Sequence, residues 1–200
     1  MAGLLVLLSL LLGTRAHASP WQGKDGAELN ARLDAHFQRF AALGACVAVF
    51  ENGQIVYTYC YGSRNAQGDP VTPESGFQVG SISKLVTGVG LLQLVEQGKA
   101  GLEDELSDLL ALNVRSPYYP DAPVTLRQLM THTAGLRDSW AYANALVGDV
   151  QPLDQLFSDK NRENMFLANY KPGERFRYSN FGGGLAGSLM ERLTGQTLVQ

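Results

Sequence analysis

The stretch Phe77-Gln78-Val79-Gly80-Ser81-Ile82-Ser83-Lys84, followed by an apolar run through Leu85, Val89, Leu92 and Val95, organises the chain. Ser81 sits where a helix is expected to begin and Lys84 follows three residues on. The two side chains then share one helix face about one turn apart. A serine hydroxyl is a weak nucleophile until a neighbouring base takes its proton. A lysine does so when burial or a nearby cation lowers its pKa. Backbone N–H groups at a helix N-terminus suit the oxyanion formed when a serine attacks a carbonyl. The spacing therefore proposes acyl transfer at Ser81. A simpler account stands beside it, because Ser-x-x-Lys arises by chance, and an N-capping serine with a solvated lysine needs no chemistry.

Working outward, 200 residues at 45% hydrophobic and 18% charged describe a globular chain with one sizeable core or two small ones. Residues 1–18 hold an apolar run from Leu4 to Leu12 and then Ala16-His17-Ala18, the length and small-residue ending of a secretory signal peptide. The expectation is an exported protein, secreted or periplasmic, with no stable membrane anchor once the signal is removed. The net charge of −3 carries no basic cluster, which excludes an electrostatic footprint for nucleic acid.

Behind the signal, Ala27 to Ala42 places Leu29, Leu33, Phe37 and Phe40 at helical spacing, with Asn30, Arg32, Asp34 and Gln38 elsewhere. Ala45 to Phe50 and Gln54 to Tyr61 are β-branched and aromatic runs around Asn52-Gly53, a hairpin signal. Cys46 and Cys60 lie on its two arms. A two-residue loop sets residue 46 opposite 59 and turns Cys60 to the other face, whereas a three-residue loop sets 46 opposite 60. The expectation is two free, buried cysteines. Gly62 to Gly76 reads as loop and delivers the chain to Ser81.

The helix from Ser81 is apolar on most sides and ends at Gly98, so it is expected to be central and buried. Short helices are predicted from Leu102 to Leu110, from a capping box at Thr125-Leu126-Arg127-Gln128, from Asp138 to Leu146 and from Leu153 to Phe157. The polar turn Thr131-His132-Thr133-Ala134-Gly135-Leu136 lies among them. Arg175 to Tyr178 reads as extended. Ser179 or Asn180 then caps a helix with Phe181, Leu185, Leu189 and Leu193 on one face. A hairpin followed by mostly helical sequence leaves the strands little sheet to join.

Tyr178-Ser179-Asn180 has chemical potential of its own, a phenol that can relay a proton and an amide that can bond both a carbonyl and a lysine. Taken alone, packing by the tyrosine and capping by the asparagine explain it more simply. The order of the motifs adds to this. Phe77 to Leu106, with Gly80-Ser81-Ile82-Ser83-Lys84, Leu94-Val95-Glu96-Gln97-Gly98-Lys99 and Leu102-Glu103-Asp104-Glu105, resembles the active-site region of the serine β-lactamase and penicillin-binding-protein superfamily. Thr125 to Leu136 and Pro172-Gly173-Glu174 leading into Tyr178-Ser179-Asn180 resemble its branch of class C β-lactamases and related peptidases and esterases.

The resemblance implies an α+β fold of the β-lactamase/transpeptidase type, a domain over 19–200 whose α/β part begins over 19–79 and whose mostly helical part covers 80–200. Ser81 matches the acylated nucleophile, and Lys84 the lysine that helps deprotonate it. Tyr178 matches the general base or proton relay, and Asn180 a substrate-orienting amide; the base is shared between Lys84 and Tyr178. The expected reaction is acyl transfer from a β-lactam, a D-amino-acid peptide or an ester, with a small-molecule or peptide substrate and no cofactor.

The family also carries a Lys/His-Thr/Ser-Gly motif on a later strand, supplying one of two oxyanion donors. Leu193-Thr194-Gly195 lacks the basic residue and closes a helix. The expectation is therefore the N-terminal part of a longer fold with the C-terminal strands missing, as a shortened gene product or a piece of a longer sequence. The alternative is an inactive remnant that binds peptidoglycan-like peptides. The histidines His17, His36 and His132 form no metal-binding pattern. A triad through His132 is disfavoured because no G-x-S-x-G surrounds Ser81. Gly182-Gly183-Gly184 does not follow a phosphate loop and is expected to serve close helix packing or access.

Overall fold

The computed structural model describes residues 24–148 and 152–198, and the chain divides into two compact units between Gln78 and Val79. The stretch 1–18 lies outside the described residues.

The first unit holds helix α1 (Lys24–Arg39) and strands β1 (Gly44–Glu51) and β2 (Gln54–Gly62), paired antiparallel. Alternate residues of β2 meet successive turns of α1. The Tyr57 hydroxyl donates to Asn30 Oδ1 at 2.5 Å, the Tyr59 hydroxyl donates to Asp34 Oδ1 at 2.5 Å, and the Tyr61 ring lies 5.3 Å from that of Phe37. Two residues of strand advance about 6.6 Å and four of helix about 6 Å, so the ladder stays in step. Asn30 and Asp34, which lie off the apolar spacing, thus join Phe37 against the strand, and Phe40 is 63% exposed.

The expectation of free, buried cysteines is corrected. Cys46 and Cys60 form a disulfide and are half-buried. The Asn52-Gly53 loop has two residues, both at positive φ (52° and 75°), with Glu51 opposite Gln54. Between Val49 and Phe50 the register shifts, so that Phe50 faces Ile55 while Val49 faces Tyr57. Val56 is left as a bulge, and one extra residue on β2 brings position 46 opposite 60 as a longer loop would.

Among its described residues the second unit contains a 3-10 turn over Gly80–Ile82 and helices α2 (Ser83–Glu96), α3 (Leu106–Leu110), α4 (Leu126–Met130), α5 (Trp140–Val147), α6 (Leu153–Leu156), α7 (Asp159–Met165) and α8 (Asn180–Thr194). Its core gathers Leu91 and Leu94 of α2, Leu126 and Leu129 of α4, Met165 and Phe166 near α7, and Phe181, Leu185 and Leu189 of α8. The α8 stripe is the one its periodicity predicts. The capping box at α4 also forms, with Gln128 N–H donating to Thr125 Oγ1 and Thr125 N–H to Gln128 Oε1. Helix α7 carries no clear apolar stripe in Asp159-Lys160-Asn161-Arg162-Glu163. Only Met165 of it is buried.

Helix α2 departs from its expected burial. Leu91 and Leu94 are buried, but Leu85 and Val86 are each 69% exposed and Val89 is 51% exposed. A helix apolar on all sides buries only the sides that meet neighbours, and these residues lie on the others.

Candidate active site

Ser81 occupies the 3-10 turn rather than the first turn of α2, after Gly80 at φ 53°. Lys84 lies in the first turn of α2 proper. Tyr178 and Asn180 arrive from the far end of the sequence, where the extended stretch before α8 passes the turn at His132. Arg177 N–H donates to the His132 carbonyl at 2.7 Å and pins that crossing. All four residues named from the sequence meet there.

The Ser81 and Tyr178 hydroxyls are 2.6 Å apart, although 97 residues separate them. Lys84 Nζ donates to Ser81 Oγ at 3.2 Å and to Asn180 Oδ1 at 3.0 Å. It also lies 5.1 Å from the centre of the Tyr178 ring. The adjacent Lys84 ammonium, and then the bond with Ser81, hold the Tyr178 phenol below its ordinary pKa of 10.0. Ionised phenol is thus easier to reach here than in water. Lys84 is half-buried, and its stem passes over the backbone of α8. A methyl group on Gly183 would come within 2.5 Å of Lys84 Cε. Gly183 therefore lets Lys84 cross α8 closely. A cavity of about 60 Å³ adjoins this crossing, bounded by Lys84, Gly88, Leu129, Met130, His132 and Ala186.

His132 serves as a wall. Its ring lies 4.6 Å from that of Tyr178 and 5.9 Å from that of Phe176. Its Nδ1 accepts from Ser179 N–H at 3.4 Å. Burial, and then the Lys84 charge, hold the imidazole below the usual histidine range, which favours the ring form whose Nδ1 accepts. The Ser81 hydroxyl thus has the Tyr178 phenol and the Lys84 ammonium as hydrogen-bond partners.

Asp138 is the residue the sequence reading missed. Its Oδ1 accepts from Ser179 Oγ at 2.9 Å and from Phe181 N–H at 2.8 Å, and its Oδ2 accepts from Asn180 Nδ2 at 2.9 Å. Burial raises its pKa, but these donors outweigh it and hold the carboxyl below its usual range. Read as the start of a helix, Asp138 would cap α5. Ser139 does that, accepting from Tyr142 N–H, which frees the carboxylate for the start of α8. The signal was two adjacent cap-forming residues before one helix, one of them surplus.

A family model described as Beta-lactamase matches residues 33–200. The chain belongs to the beta-lactamase family. Penicillin-binding protein 4* of Bacillus subtilis (strain 168) is 30% identical over 154 residues, which are 76% of this chain and 33% of that protein. The octameric penicillin-binding protein homologue from Pyrococcus abyssi matches with a TM-score of 0.71 at 28% identity, over 86% of this chain and 40% of its own. A class C beta-lactamase matches with a TM-score of 0.71 at 26% identity, over 90% of this chain and 48% of its own. The chain thus spans between a third and a half of these relatives. Its fold is the beta-lactamase/transpeptidase-like α+β fold, represented by the helices and the two-stranded antiparallel sheet described above. The beta-lactamase family is one of serine hydrolases, and its members act on small-molecule or peptide substrates. Among the described residues no helix is long and apolar enough to cross a membrane.

Proposed function

We propose that this chain carries the nucleophilic centre of an exported serine hydrolase, in which Ser81 is acylated by a β-lactam, a D-amino-acid peptide or an ester. The observation that carries the reading is the convergence on Ser81 Oγ of Tyr178 Oη at 2.6 Å and Lys84 Nζ at 3.2 Å. In the proposed step Ser81 Oγ forms a bond to the substrate carbonyl carbon while its proton passes to the Tyr178–Lys84 pair. The Ser81 N–H meets the oxyanion. The carbonyl carbon then parts from the amine or alcohol, which takes the proton held by the pair. Water repeats the sequence on the acyl-enzyme and restores Ser81. Asn180, bonded to Lys84, offers its amide to the substrate. Export is supported by the Cys46–Cys60 disulfide, a bond that persists in oxidising compartments.

The test is acylation. The chain is incubated with a fluorescent penicillin and, separately, with a fluorophosphonate, and its intact mass is measured. One adduct on Ser81, absent from Ser81→Ala, is expected. No adduct with either reagent, or the same adduct in Ser81→Ala, overturns the reading.

A further inference from the structure

Asp138 takes no part in the steps above, yet it stands behind them. A carboxylate only accepts hydrogen bonds and an ammonium only donates them. Asn180 sits between the two, with Nδ2 on Asp138 at 2.9 Å and Oδ1 on Lys84 Nζ at 3.0 Å. Asp138 and Lys84 therefore read opposite ends of one amide, and that amide has only one orientation satisfying both. The carboxylate is itself held in place by Phe181 N–H at 2.8 Å and Ser179 Oγ at 2.9 Å, at the first turn of α8.

We propose that Asp138 is a positioning residue for Lys84, acting through Asn180: it fixes the amide so that Oδ1 holds the lysine beside Ser81 and Tyr178. The catalytic meaning of this rests on Ser81 being the nucleophile, whereas the positioning itself does not. Removing the carboxylate frees Asn180 to turn its NH2 toward Lys84, two donors face to face, and the lysine leaves its place. A residue that merely capped α8 would stabilise the helix and leave Lys84 where it is.

Tyr178 reports the difference by the sign of its response. The groups that face it are Ser81, Lys84, His132 and, farther off, Asp138. Lys84 lowers its pKa, whereas the negative charge of Asp138 raises it. Deleting that charge without moving Lys84 therefore lowers the Tyr178 midpoint. Deleting it and releasing Lys84 raises the midpoint.

The experiment is an NMR titration of the chain with ring-13C tyrosine, Tyr178 being assigned by its loss in Tyr178→Phe. In Asp138→Asn the Tyr178 midpoint is expected to rise by on the order of one pH unit. Asn180→Ala should give a similar rise, and the double variant no further one, since both act through the same amide. Asp138→Glu keeps the charge and displaces the contact, so it should also raise the midpoint, and it serves if Asp138→Asn fails to fold. A fall or no change in the folded variants, or additive shifts in the double variant, overturns the proposal. The Ser81 adduct is measured on the same samples. Loss of adduct in the parent chain with the titration shift intact sinks the nucleophile and spares Asp138. An intact adduct with an unmoved Tyr178 does the reverse.

Discussion

Tyr59 in the first unit and Tyr178 in the second are the same side chain under opposite electrostatic orders. Tyr59 donates to the Asp34 carboxylate, and that bond, with burial and the negative charge adding to it, pushes its pKa up to about 12. Tyr178 lies beside an ammonium and is held below 10.0. The first phenol is fixed as a donor and ties a strand to a helix. The second is made easier to ionise beside the Ser81 hydroxyl. Their sequence neighbourhoods, Thr58-Tyr59-Cys60 and Arg177-Tyr178-Ser179, do not state this difference. It lies in which charge the fold brings alongside.

The largest break in the comparison is expected from deleting each hydroxyl in turn. Tyr178→Phe should slow acylation of Ser81 by about a hundred- to ten-thousand-fold, the range for a positioned proton-transfer group, while Tyr59→Phe leaves it unchanged. Time courses of adduct formation decide this, and equal effects from the two variants would sink the assignment of roles. A stability effect of about 3 kcal/mol is expected in the first unit when Cys46→Ser and Cys60→Ser remove the bridge across a separation of 14 residues. Denaturant unfolding measures it, and the Ser81 adduct should survive at denaturant concentrations well below the transition.

A finer cut separates packing from chemistry within the second unit. Gly183→Ala forces aside the Lys84 stem, and acylation is expected to fall about tenfold, near 1.4 kcal/mol in the barrier. Alanine is the better helix former, so the melting temperature should hold or rise. Unchanged acylation would show that the lysine can pass Gly183 by another route.

The smallest effect sharpens the comparison by pH. For Tyr59 the folded pKa lies above its unfolded value near 10. Its contribution to stability is complete below 10 and is lost as pH rises from there through about 12. For Tyr178 the folded pKa lies below the unfolded one. Its contribution is present above 10 and is lost as pH falls through the lowered value. Ultraviolet titration should therefore show Tyr178 ionising before Tyr59, and Lys84→Met should move Tyr178 back toward 10.0 without moving Tyr59. Loss of the alkaline slope in Tyr59→Phe stability curves would confirm the sign for the first unit.

The parts of this molecule legible in the sequence are those set by local rules. Asn52-Gly53 demands its turn, Thr125 and Gln128 demand their capping box, and Phe181, Leu185 and Leu189 define a face by spacing alone. Ser81, Lys84, Tyr178 and Asn180 were found because a resemblance joined two motifs that local reading kept apart. What could not be read depends on one-residue or one-atom choices made in space. The bulge at Val56 decided the cysteine pairing. The capping of α5 by Ser139 decided that Asp138 was free for α8. The exposure of Leu85 and Val86 depends on which sides of α2 meet neighbours, which periodicity does not contain when every side is apolar.

The bond between Ser81 and Tyr178 closes a loop of 97 residues. Such closure carries an entropy cost that is recovered only when the core between the two positions has formed. An unfolded or half-folded chain therefore holds Ser81 as an ordinary alcohol. In the proposed mechanism its reactivity appears only with the finished second unit. Adduct formation at Ser81 is then a count of folded molecules, and its onset during refolding marks the moment when the two ends of that unit meet.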